Sequence, residues 1–119
     1  MASAWIATCF QSFGRDADGT TRQDPVKDKA LCKLAGKWEG ECVYGVVRDM
    51  TADYAGGHEA SGFCKIEDAK LQGYCYQGLG TILGTLKPTI AARRTACTEF
   101  SPRRFLDACL RGAGVPVSA

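Results

Sequence analysis

One histidine, His58, serves the whole chain, and that scarcity removes several chemistries at once. Tetrahedral metal sites draw on cysteines two to four residues apart or histidines three to five apart. Neither spacing occurs, and there is no C-x-x-C-H for covalent haem. No metal and no cofactor are therefore expected. No apolar stretch approaches the ~20 residues that a membrane-crossing helix requires, so no membrane span is expected. The net charge is only +2. That is too small to name a nucleic-acid partner, which would also call for exposed aromatics among the basic residues. The N-terminus, MASAWIATCFQSFG, has neither a basic start nor a long apolar core, so a secretory leader is not visible in it.

The remaining short motifs are incomplete. Asp16, Asp18 and Gly19 resemble the opening of a calcium loop, but Thr20 and Thr21 stand where a further ligand and a turn glycine belong. Gly78, Gly80 and Gly84 lack the spacing and the preceding strand of a dinucleotide fingerprint. His58 precedes Cys64 by six residues, a formal nucleophile–base pair. Cys32 and Cys97 have no matching histidine, so an exposed residue at a helix start is the plainer reading. No catalytic residue is expected, and an enzyme with a site near His58 ranks last among the readings.

What the chain has in excess is cysteine. Seven in 119 residues signals disulfides and an oxidising compartment. They fall into two interleaved ladders. Cys9, Cys42, Cys75 and Cys109 are 33, 33 and 34 residues apart, and Cys32, Cys64 and Cys97 are 32 and 33 apart. Around the first ladder other positions recur. Trp5, Trp38, Leu71 and Phe105 stand four residues before; Phe10, Val43, Tyr76 and Leu110 one after; Ser12, Gly45, Gly78 and Gly112 three after; Phe13, Val46, Leu79 and Ala113 four after. Offsets of −4, 0, +3 and +4 share one helical face. A small residue in such a stripe lowers helix propensity by about 1 kcal/mol, and close backbone packing is the expected return.

This segment is an A element. The second ladder marks B elements, read as DPVKDKALCKLAG, HEASGFCKI and KPTIAARRTACTEF. Asp24-Pro25 makes an N-cap and first turn and Gly36 a stop. Gly56-Gly57 and Lys87-Pro88 break the chain, while Asp68 and Ser101-Pro102 start new helices. GRDADGTTRQD, residues 14–24, is expected to be the longest loop. The order is A-B-A-B-A-B-A, an all-α stack of antiparallel helical hairpins repeating about every 33 residues and braced by disulfides. The whole of 1–119 is expected to be a single repeat domain with units at 3–36, 37–68 and 69–101, a half repeat at 102–114 and a tail at 115–119. Its core stripe should hold Trp5, Trp38, Leu71 and Phe105. In plan and period this resembles α-solenoids such as tetratricopeptide arrays, without their signature residues. The nine residues between Cys32 and Cys42 resemble the spacing in the twin-cysteine coiled-coil-helix proteins of the mitochondrial intermembrane space. There both cysteines share one helix, whereas Gly36 interrupts here.

Four A and three B cysteines leave one over. If each B joins the following A, the pairs are Cys32–Cys42, Cys64–Cys75 and Cys97–Cys109, with Cys9 unpaired or intermolecular. If each A joins its own B, Cys109 is left. Helix rise brings the sulfurs level either way, and the tight turns favour the first scheme. Candidate interaction residues are Arg15-Asp16 and Arg48-Asp49, which recur at +6 and +7, and Arg93, Arg94, Arg103 and Arg104, which flank Cys97. The first 83 residues hold nine basic and eleven acidic side chains, the rest six and two. The expected function is a non-catalytic, secreted or periplasmic scaffold that binds a protein partner. The alternative is a structural subunit that self-associates head to tail into an extracellular filament.

Overall fold

The computed structural model describes residues 2–117, with side chains from Ser3 onward; Met1, Ser118 and Ala119, and with them the end of the expected tail, lie outside the described residues. Among these residues the chain is all-helical. It runs α1 (Ala2–Thr21), α2 (Pro25–Lys33), α3 (Glu39–Tyr54), α4 (His58–Ile66), α5 (Ala69–Leu86), α6 (Ile90–Phe100) and α7 (Leu106–Gly112), with single 3₁₀ turns at Gly36–Trp38 and Arg103–Phe105 leading into α3 and α7. Local signals account for most of the ends. The Asp24 carboxylate accepts from the Val26 and Lys27 amides with Pro25 next to it, and the Thr89 hydroxyl accepts from the Ala92 amide. Helix α3 ends on Ala55 in the left-handed region, followed by Gly56-Gly57. Asp68, at the same position before α5, makes no cap bond; its carboxylate pairs instead with Lys33 and Lys29.

The long helices α1, α3 and α5 and the short α7 pack side by side in chain order, and α2, α4 and α6 each bridge the two members of that row that flank them in sequence. Disulfides join Cys32 to Cys42, Cys64 to Cys75 and Cys97 to Cys109, each tying a bridging helix to the member of the row that follows. All six sulfurs are buried with Val43, Val46, Val47, Met50, Phe63, Tyr76, Leu79 and Leu83. Polar links run across the same elements. The Glu41 carboxylate of α3 accepts from Gln11 of α1 (3.0 Å) and from the Tyr74 hydroxyl of α5 (2.6 Å). Ser61 of α4 donates to the Phe100 carbonyl of α6 (2.6 Å).

Glycine decides how closely the long helices approach. Gly14 of α1 lies on the Cys42 carbonyl and Gly45 of α3 on the Gln11 carbonyl, so a side-chain carbon at either would overlap backbone. The same two offsets recur between α5 and α7, where Gly80 lies on the Cys109 carbonyl and Gly112 on the Gln77 carbonyl. Between α3 and α5 the offset that holds Gly14 and Gly80 is occupied by Val47, whose Cγ1 stands 2.7 Å from a carbon built on Gly78. Backbone-to-backbone contact thus alternates with side-chain contact, and Gly80 and Gly84, which fit no phosphate motif, are explained as packing positions.

Two sequence expectations are corrected. Residues 14–24 are not a long loop. Helix α1 continues to Thr21 and the connection is three residues long. The glycines and aspartates there disfavour helix locally, but Gly14, Ala17 and Asp18 are buried against the neighbouring helices, and packing overrides propensity. Trp5 is not in the core. It is 78% exposed, while Trp38, Leu71 and Phe105 at the equivalent position are half-buried, with Trp38 stacked on Phe10 and Phe105 on Tyr76.

Candidate functional site

The position of Trp5 reflects what lies against α1. In α3, α5 and α7 the face marked by offsets −4, 0 and +4 is covered by the preceding pair of helices, and the central cysteine is bonded to it. On α1, among the described residues, the same face carries Trp5, Cys9 and Phe13 exposed, with Ile6 beside them at 39% exposure. Cys9 is a free thiol in the middle of this apolar stripe. Leu34, at the end of α2, is a further exposed apolar residue at 78%. Burying such side chains is worth about 25 cal/mol for each Å² removed from water.

On another side of α1 a cleft of about 310 Å³ opens between α1 and α3, lined by Thr8, Gln11, Ser12, Arg15, Arg48, Asp49 and Ile82 among others. Three of the four residues of the recurring Arg-Asp pairs meet here. The fourth, Asp16, is exposed and 3.5 Å from Arg15. Arg48 donates to the Thr81 hydroxyl of α5 (3.0 Å) and lies over the Tyr44 ring, which holds its guanidinium at the cleft edge.

The four C-terminal arginines do not act alike. Arg93 is half-buried and donates to the carbonyls of Lys87 (2.9 Å) and Ala113 (3.4 Å), and Arg94 donates to that of Pro116 (3.4 Å). These two hold the chain beyond α7 against α6. Arg104 lies over Phe105 and donates to Gln72 (3.2 Å), while Arg103 is exposed. His58 stands exposed at the first residue of α4, and Cys64 is locked in its disulfide, so that pair has no nucleophile to activate. The sequence signal for the α1 face was present in the repeated −4, 0, +4 pattern. What periodicity could not reveal is that one copy of the pattern lies uncovered. Compared with protein-family models, curated proteins and solved structures, the chain matches none of them.

Proposed function

We infer that the chain is a non-catalytic helical-repeat module, a short solenoid of hairpins, that binds a protein partner in a secreted or periplasmic setting. The observation that carries this reading is the exposed face of α1. Three times within the molecule the equivalent face is covered by a helical pair and sealed by a disulfide. The fourth copy offers Trp5, Ile6 and Phe13 around a free thiol. The occupant that fits is a helical element of another polypeptide, laid as the preceding hairpins are. Three buried disulfides suit an oxidising compartment, and no helix among the described residues is long and apolar enough to cross a membrane.

A second reading has an observation of its own. Trp5 and Phe13 lie four residues to either side of Cys9, so two α1 helices set antiparallel would place each Trp5 opposite a Phe13 with the thiols facing. That arrangement gives an isologous dimer, a closed form of self-association in place of the head-to-tail filament.

The test is site-specific photocrosslinking from position 6 and, as control, from exposed position 98, in the secreted or periplasmic fraction. Adducts to a different protein at position 6 alone support the module reading. Adducts only to a second copy, with a reducible dimer by mass, support the second reading. Equal labelling at both positions, or none, overturns both. Seven alkylatable thiols in protein isolated under oxidising conditions remove the compartment assignment.

A further inference from the structure

Beneath the C-terminal end of α1 the chain gathers carboxylates from three helices. Asp18 comes from α1, Asp28 from α2, and Asp49 and Asp53 from α3. One oxygen each of Asp18, Asp49 and Asp53 lie within 4.8 Å of one another. Asp28 stands beside Asp18, close enough to share a proton with it. Asp18 and Asp28 are both fully buried, at 0% exposure. Neither oxygen of Asp18 has a hydrogen-bond partner, and neither does Oδ2 of Asp28. Among the described residues none of the four has a lysine or arginine ion-pair partner.

Buried carboxylates without partners are costly, by several kcal/mol each in folded proteins. A shared proton answers part of that. Burial, with Asp28 and Asp49 adding to it, pushes the Asp18 carboxyl up to about 10. One proton shared between Asp18 and Asp28 pairs two oxygens, however, and the cluster presents three buried ones without a partner. The surrounding bonds orient the group without satisfying it: Thr21 donates to Oδ1 of Asp28 (2.6 Å) and Gln23 to Oδ2 of Asp53 (2.8 Å). Nor is the cluster a by-product of the 33-residue spacing. The positions equivalent to Asp18 are Thr51 and Gly84, and that equivalent to Asp49 in α5 is Ile82. The carboxylates converge at one junction only.

We propose that Asp18, Asp49 and Asp53, backed by Asp28, form a binding site for a hard divalent cation, calcium in the first place. The donors are all oxygen, which selects against zinc and copper. Oxygens bound to one calcium ion at about 2.4 Å lie no more than about 4.8 Å apart, and one oxygen from each of Asp18, Asp49 and Asp53 falls within that limit. Magnesium keeps most of its waters and takes one or two carboxylates, a poorer match to three. The ion has a mechanical role as well. Helix α1 is the one long helix without a disulfide among the described residues. A cation bridging α1 and α3 braces it where the cysteines do not, and so fixes the helix that carries the exposed apolar face. The sequence points elsewhere, because the Asp16-Asp18 spacing suggests a loop while the ligands come from separate helices.

The test is calorimetric titration of chelator-treated full-length protein with CaCl2 and separately MgCl2, with thermal melts in parallel. One calcium per chain is expected. At a Kd of about 0.1 mM, in the range of extracellular modules, 5 mM calcium shifts the unfolding equilibrium about fifty-fold toward the native state. Asp18→Asn and Asp53→Asn lose the saturable heat and the shift, and Asp16→Asn, on the same helix but outside the cluster, keeps both. Asp53 is exposed, so its variant stays interpretable if the buried one folds poorly. Absence of saturable calcium binding to folded wild-type protein overturns the proposal and leaves a proton-sharing acid cluster. Equal, unsaturable effects of both ions overturn it as well, as charge screening.

Discussion

Replacing Gly45 by alanine tests whether glycine sets the spacing of the long helices. A carbon there would stand 2.8 Å from the Gln11 carbonyl carbon and 3.0 Å from its Cα, with the oxygen closer still. Carbon pairs settle at 3.5–4.0 Å, so α1 and α3 must part by about 1 Å. A gap of that size forfeits a quarter to a half of the dispersion attraction along the seam. Overpacking costs 1–3 kcal/mol in general, and rigid backbone on both sides puts this case at the upper end, about 3 kcal/mol. Alanine returns about 1 kcal/mol of helix propensity, for a net loss of about 2 kcal/mol. In a chain this size that lowers Tm by about 8 °C. Gly62→Ala is the control. It sits inside α4 with nothing within 4 Å of the added carbon, so only the propensity gain remains and Tm should rise by about 2–4 °C. The assay is thermal unfolding by circular dichroism under non-reducing conditions, with hydrogen exchange on α1, which should lose protection in Gly45→Ala. Because Gly14 and Gly45 open the same seam, the double variant should cost less than the sum of the singles, whereas Gly45 and Gly112, in different seams, should add. A Gly45→Ala protein that melts within 2 °C of wild type would refute the backbone-contact account.

Two further predictions concern carboxylates. Glu67 is 5% exposed and its oxygens lack hydrogen-bond partners; burial chiefly pushes its carboxyl from 4.5 up to about 7, with Lys29 and Lys33 opposing and Glu39 and Asp68 reinforcing. Since the folded state holds the proton more tightly, its stabilising contribution is complete below pH 4.5 and is lost as pH rises through about 7. Denaturant unfolding of wild type and Glu67→Gln across pH 4.5–8 should therefore show their stability difference drifting by up to about 3 kcal/mol in favour of the variant; a constant difference counts against the shift. Asp24→Ala should cost about 1 kcal/mol through loss of the cap on α2, whatever the salt. Asp68→Ala, which removes exposed ion pairs and no cap bond, should have a smaller effect that disappears in 1 M NaCl.

Much of the architecture was legible in the linear order of residues. Helix was readable because the recurring apolar and small positions repeat at helical offsets, and the B helices because Asp24-Pro25, Gly56-Gly57 and Lys87-Pro88 mark their ends. The length of α1 was not legible: Gly14, Asp16, Asp18 and Gly19 are poor helix formers, and it is burial of Gly14, Ala17 and Asp18 against the neighbouring helices that keeps the segment helical. Nor was the acid cluster. Asp18 lies ten residues from Asp28 and more than thirty from Asp49 and Asp53, and no short-range pattern relates them.

The sequence by itself determined that the chain is helical and rich enough in cysteine for three bonds and one remainder, because periodicity and counting are local properties. Tertiary structure alone decided which cysteine remains. Sulfurs stand level under either pairing, and the choice follows from the bridging helices closing onto α3, α5 and α7, which come next in sequence. It also decided that the same −4, 0, +4 stripe is surface at α1 but elsewhere has its cysteine and +4 residue buried and its −4 residue half-buried. A residue's burial depends on what packs against it, and that is set by neighbours far along the chain.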